Sequence, residues 1–346
     1  METAAELSKR VRMRLALQRQ RIDRWPTQIN TTDEMGRKLA AHFQISMKEL
    51  PERLGNHLLR LDLSYPKRSS ADGKLAYDWW GVGWHTETEG YWPGDSPLAE
   101  NEDLDSYAWP DPEGASLLEA AEQALEQDGG THFSAPNFGF CLYERAWSLR
   151  GFEKFNIDLA LNQAYAAELL KRITQIQVRL AERFLALGID GGYCGDDYGA
   201  QKGMLFSPRT WRALFKPLLA RIFAVFREAN LPVILHSDGD IAPILPDLVE
   251  IGLTTLNPVQ PEVLDLAWLK SNFGDRLAFY GGVSTQTVLP FGTPDEVRRA
   301  TWEAVKLLGS DGSGLLLAPS HRMTADIPIE NVEAMLEVFR ALGGES

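Results

Sequence analysis

The chain has 346 residues, 44% apolar and 24% charged, a globular balance that readily supplies one large core. A net charge of −13, with no Lys/Arg cluster beyond the N-terminal stretch, removes the basic footprint a nucleic acid needs. Two cysteines, Cys141 and Cys194, exclude a disulfide framework, and no run approaches the ~18 apolar residues of a membrane span. Opening METAAELSKRVRMRLALQRQ, the chain shows no apolar signal-peptide centre, so the cytoplasm is the expected location.

Residues 4–22 carry a helical pattern rich in basic side chains, broken at Arg24-Trp25-Pro26, where Pro26 favours extended backbone. A short helix follows over 33–44, capped by Thr32 or Asp33, and then HLLRLDL (57–63) alternates as a strand. Residues 64–113 are dense in Gly, Pro, Asp and Trp and read as a β-meander and loop laid over one end of the fold. Their Trp and Tyr residues between 77 and 92 form a substrate lid or simply pack the meander. From residue 131 the pattern becomes strand, loop, helix. Strands are expected at 131–136, 188–195, 231–239, 254–259, 277–283 and 314–320. Helices are expected over 139–150, 161–187, 208–229, 242–251, 262–272, 294–308 and 329–342.

Alternating strands and helices with short connections imply a parallel sheet with helical crossovers. A doubly wound sheet would carry a glycine-rich phosphate turn after its first strand, and none stands there. A (β/α)8 TIM barrel instead gathers polar residues at the carboxyl ends of its strands, as this chain does. The expected organisation is one domain over 1–346, with an N-terminal helical arm (1–56) and the 64–113 insert covering the barrel mouth.

The sharpest segment is His236-Ser237-Asp238, where VIL runs out. Residues i and i+2 of a strand project to one side, so His236 and Asp238 aim together, and His321 ends the later strand LLLAPS. Two imidazoles and a carboxylate make a metal shell with open positions; the alternative is a loop histidine followed by a helix-capping aspartate. Asp196 and Asp197 are the catalytic candidates. Being adjacent they face opposite ways, so one alone points inward as acid, base or substrate anchor, the other reading being a capping role. Asn137, Tyr193, Asn257, Gln260 and Gly282 are the substrate-binding candidates: hydrogen-bonding side chains, and in the Gly281-Gly282 pair a close backbone approach or a bulge. Tyr143 flanks the same loop as Asn137.

GDDYGAQKGMLFSPRTWRALFKPLLARI, HSDGDIAPILPDLVEIGLTTLNPVQ, GGVSTQTVLPFGTPDEV and LAPSHRMTADIPIENVEAM together resemble the uroporphyrinogen decarboxylase superfamily. The DRWP and PLAENEDLDSYAWPDP segments are similar to its methyltransferase-like branch. The resemblance implies the barrel, a homodimer and one of two activities. The decarboxylase pairs substrate carboxylates with an N-terminal arginine motif, and the corresponding DRWPTQINTT lacks it. The corrinoid- and coenzyme M-type methyltransferases hold zinc with His-x-Cys and a later Cys. His236 matches that His, while Asp238 and His321 stand where the two Cys would be.

The resemblance therefore implies a divalent metal at His236, Asp238 and His321: zinc, with iron or manganese as alternatives for a shell without thiolates. The expected function is metal-dependent methyl transfer from a small methylated substrate, with a corrinoid protein or tetrahydrofolate as partner. A decarboxylase or other lyase of a small acid, with Asp196 or Asp197 stabilising the intermediate, is the second expectation, and a non-catalytic binding protein the third.

Overall fold

The computed structural model describes residues 6–87, 90 and 92–343. Its parallel strands are short and buried along almost their whole length, as strands covered on both faces are. Five form one sheet, in the spatial order Leu315–Pro319, Ala278–Val283, Thr255–Val259, Val233–His236, Gly192–Gly195. Leu58–Leu61 and Phe133–Pro136 form a second parallel pair. Chain neighbours are thus spatial neighbours throughout, as right-handed crossovers make them.

Isolated bridges join the two sheets on both sides. Gly195 N–H donates to the Phe138 carbonyl at 2.8 Å on one side. On the other, Leu317 N–H donates to Pro26 O at 2.9 Å and His57 N–H to Thr27 O at 3.1 Å, so the extended segment after Trp25 lies between the last and first strands. Among the described residues seven parallel strands stand where eight were expected, and Thr27 makes isolated bridges to Asn56 and Leu317.

The buried side chains divide into two cores. An inner one takes alternate residues from both sheets: Leu58, Phe133 and Ala135, Tyr193, Ile234, Ala278 and Tyr280, Leu316 and Ala318. Met13 and Leu17 of the helix Lys9–Leu17 enter the same cluster from below. The larger core lies between the strands and the helices and contains the opposite parity, such as Cys194, Val233 and Leu235. This inner–outer alternation decides which residue at each strand end faces the site.

Several helices are shorter or divided relative to expectation. The arm's helix is Lys9–Leu17, with residues 4 and 5 outside the described region. The 161–187 stretch begins after Asn162, which separates Phe152–Leu161 from Gln163–Ala186. The 208–229 stretch divides at Phe215 into Pro208–Leu214 and Lys216–Glu228. The 242–251 stretch is a 3-10 turn, Ala242–Ile244, leading into Leu245–Glu250. Thr32 is the cap of Asp33–Phe43, accepting from Met35 N–H. The insert contains an antiparallel meander of Arg68–Ser69, Leu75–Tyr77, Gly83–His85 and Pro93–Asp95.

Candidate active site

A cavity of about 400 Å³ opens at the carboxyl ends of the parallel strands. His236, Asp197 and Asn257 line it from three neighbouring strand ends, and Tyr65, Asp78 and Trp84 from the insert. Tyr91, part of the expected aromatic lid, lies outside the described residues.

His236 follows Ile234 by two residues and so stands directly above the inner core. Its Nδ1 lies 2.8 Å from Asn257 Oδ1. Asn257 Nδ2 donates to the Tyr280 carbonyl at 3.2 Å, which fixes Oδ1 as an acceptor. Nδ1 therefore carries the proton and Nε2 presents a lone pair to the cavity. Tyr193 OH donates to the same Oδ1 at 2.7 Å and holds the amide from the other side.

Asp238 reaches both imidazoles, with Oδ1 3.8 Å from His236 Nε2 and Oδ2 3.4 Å from His321 Nε2. The two rings stand 5.9 Å apart between centroids, and one donor atom each from His236, Asp238 and His321 falls within 4.8 Å of the others. Asp238 Oδ1 is shielded from solvent and accepts no hydrogen bond from the described residues. A buried carboxylate oxygen without a donor is costly, and a cation coordinated beside it removes that cost. The two-nitrogen, one-carboxylate set with a lone pair aimed inward thus fits a divalent metal. Burial depresses the His321 imidazole's pKa, against the opposing pull of Asp238, and so keeps it in the ligating neutral form.

The two aspartates separate as strand parity requires. Asp197 faces the cavity, 3.9 Å from His236 Nε2, and accepts the Asp238 N–H at 2.8 Å. Burial raises its carboxyl, His236 opposes this, and the Asp238 charge adds to the rise. Asp196 is a correction to the catalytic expectation. It is fully buried on the outer side and accepts from the N–H groups of Leu142, Tyr143 and Glu144 at 2.8–3.0 Å and from Tyr198 OH at 2.5 Å. These are the free donors at the start of the helix Tyr143–Arg150, so Asp196 completes a helix N-terminus and stays out of the cavity.

Two substrate-binding candidates are also reassigned. Gln260 is buried, and its Oε1 accepts Gly239 N–H at 2.7 Å, holding the 236–240 loop in place. Gly282 has φ +102°, and a Cβ built there would point outward at Ala304 and Leu308, at 3.1 and 3.2 Å. The positive φ beside the register shift at Leu256/Val259 turns this position away from the cavity. Asn137, Tyr193 and Asn257 do line the cavity, whereas Tyr143 is packed in the core.

Among the cavity residues outside the sequence reading are the ionisable Glu144 and Arg60. Glu144 sits in the first turn of Tyr143–Arg150, its carboxyl pushed well above the usual range by burial and by the Asp197 and Asp196 charges. Arg60 lies two residues past the inner-core Leu58, and that spacing in HLLRLDL is the signal that places it inward.

Fold and site together define an α/β protein of parallel strands with a His/Asp/His cluster and a polar cavity at their carboxyl ends. The profile of the uroporphyrinogen decarboxylase (URO-D) family matches residues 95–342, and the chain belongs to that family. Among solved structures it is similar to a methyltransferase from Methanosarcina mazei, at 20% identity and TM-score 0.74, over 98% of this chain and 100% of that one. At this identity the likeness speaks for a shared fold. An uncharacterized protein matches 49% of this chain and 47% of its own, at 15% identity and TM-score 0.29. No curated protein matches the sequence. No described helix is long and apolar enough to cross a membrane.

Proposed function

We propose that the chain is a (β/α)8 barrel, closed by the segment after Trp25, that carries out metal-dependent methyl transfer from a small methylated substrate. The inner core shared by both sheets supports the barrel. The observation that carries the chemistry is the convergence of His236, Asp238 and His321 around one buried carboxylate oxygen to which none of the described residues donates. Zinc is the first choice, with iron or manganese compatible with the same donors. When bound, the metal supplies Lewis-acid polarisation of the methyl-bearing or methyl-accepting heteroatom. The chain's own groups orient this centre: Asn257 and Tyr193 fix the His236 tautomer, and Asp197 holds the Asp238 backbone. A corrinoid protein or tetrahydrofolate is the proposed partner, and the chain acts as a homodimer.

The test is elemental analysis of purified protein together with transfer of a labelled methyl group from methoxy, methylamine or methylthio compounds to an added corrinoid protein. Near-stoichiometric metal, lost in Asp238→Ala and His321→Ala along with transfer, is expected. Protein that binds no divalent metal and transfers no methyl sinks the reading.

A second reading is decarboxylation of a small acid. Glu144, protonated in the cavity, would donate the proton that replaces the departing carbon dioxide. Carbon dioxide release abolished by Glu144→Gln, with no methyl transfer, would favour it.

A further inference from the structure

Away from the His/Asp/His cluster, the cavity wall holds an arginine with no counter-ion among the described residues. Arg60 enters from the strand Leu58–Leu61, and its guanidinium lies 4.3 Å from the Tyr193 ring centroid. One terminal nitrogen donates to Asn137 Oδ1. That amide is oriented from behind, because its Nδ2 donates to Asp62 at 2.6 Å. Among the described residues Arg60 forms no ion pair, and its Nε is shielded from solvent with no acceptor. Arg145, on the same wall, pairs with Asp78 at 2.7 Å. In a chain of net charge −13, a half-buried guanidinium left without a carboxylate is unusual. Withdrawing that charge from water is expensive unless an anion meets it.

We propose that Arg60 is the substrate's anchor: it receives a carboxylate, sulfonate or phosphate, while the substrate's methyl-bearing end lies at the metal cluster. This rests on the methyl-transfer reading of the same site. A guanidinium offers a planar fork of five donors, and Arg60 spends one of them on the protein, leaving paired donation to an oxyanion. The Tyr193 ring beneath it connects through its hydroxyl to Asn257 and then to His236, so one ring and one amide separate the anion anchor from the metal ligand. Trp84 and Phe140, 4.9 Å apart between centroids, give the cavity an aromatic side suited to a flat body between the two ends. A cationic methylamine would meet the charge of Arg60 unfavourably, so the arginine also selects by repulsion.

The test uses benzoate, benzenesulfonate and phenyl phosphate as probes, with benzamide as the neutral isostere of benzoate. Each is titrated into the full-length protein at constant ionic strength and followed by calorimetry. At least one anion is expected to bind about tenfold or more tighter than benzamide. Its rank among the three identifies the anionic group. Arg60→Gln should erase the preference, and Arg60→Lys should keep part of it, since charge remains and the fork is lost. Circular dichroism and Tm on both variants separate loss of binding from loss of fold. Benzamide binding as tightly as benzoate, an unchanged preference in a folded Arg60→Gln, or no binding of any probe overturns the proposal. The same titration on His236→Ala keeps the two readings apart. Anion preference retained in His236→Ala leaves Arg60 standing whatever the metal does, and wild-type protein that holds no divalent metal sinks the metal reading alone.

Discussion

Asp196 and Asp197 share a chemistry and a peptide bond, and strand parity gives them different surroundings. Asp196 satisfies three backbone donors and one phenol in the protein interior, so truncating it strands buried N–H groups at a helix start. Asp196→Ala is expected to cost on the order of 3 kcal/mol, read as a lower urea midpoint. Asp197→Ala, at a partly exposed position with one backbone donor, should cost about 1 kcal/mol or less and instead lower activity. A variant pair with the reverse pattern would overturn the assignment. Asn257 acts through its neighbour. Its Oδ1 is the acceptor that keeps the proton on His236 Nδ1. Asn257→Ala should weaken metal affinity about 10–100-fold in a chelator competition while the fold persists. Much of this was legible in the sequence because period-two projection applies at any strand end. His236 and Asp238 share a face, and of the two adjacent aspartates one alone turns inward. Of the two readings of the Gly281-Gly282 pair, the positive φ beside the register shift favours the bulge over an approach to a ligand, and hydrophobic patterning does not report φ. Gln260 was misread because a buried amide that holds a loop and one that holds a ligand are the same residue in sequence.

The helix Lys9–Leu17 shows how one element can close the base of the fold. Met13 and Leu17 enter the inner core from below, beneath residues drawn from both sheets. Its basic residues, which in sequence suggested only a charged amphipathic arm, are tethers. Arg10 and Arg14 both reach the buried Asp190, at 2.9 and 2.5 Å. Arg12, fully buried, grips both oxygens of Asp23 at 2.8 Å and donates to His57 Nε2 at 3.2 Å. Removing one partner of such a pair leaves the other charge uncompensated, so Arg12→Leu should destabilise the protein by about 3–5 kcal/mol, measured by urea unfolding. A loss below about 1 kcal/mol would show that the arm is not fastened to the base of the fold in this way. Most element existence was readable here, and element continuity was not. Pro217, tolerated in the first turn of Lys216–Glu228, marks the break after Leu214, whereas the helix Phe152–Leu161, which Asn162 separates from Gln163–Ala186, lies outside the expected elements. The bridged segment at Thr27 escaped because it is too short to alternate.

Across the whole molecule, buried titratable groups give stability a pH dependence of mixed sign. Burial pushes His57 down to about 3, helped by the Arg12 and Lys9 charges and opposed by the hydrogen bond to Gly55 O. Because Arg12 donates to Nε2, the ring is neutral with its proton on Nδ1, 2.8 Å from that carbonyl. Its folded pKa lies below its unfolded value near 6.5. Its contribution is therefore complete above that pH and is lost as pH falls toward 3, because the unfolded chain binds the proton first. Asp196 runs the other way. Burial raises it to about 6 against its hydrogen-bond donors, so its contribution grows as pH falls through that value and is lost on the rise. Between pH 7 and 5.5 each contributes about 1 kcal/mol with opposite sign, and the wild-type profile should be nearly flat from these two groups. The pI near 5.0 sets the lower end of a workable window. The balance is exposed by removing one side of it. In His57→Gln, where the amide oxygen can still accept from Arg12, the acid-labile half disappears and Asp196 remains. Urea-unfolding free energies of this variant are expected to rise relative to wild type, by about 1 kcal/mol, as pH is lowered from 7 to 5.5. Parallel profiles for the two proteins would mean that His57 titrates alike in the folded and unfolded chain, and that the contact between arm and strand base does not hold it neutral.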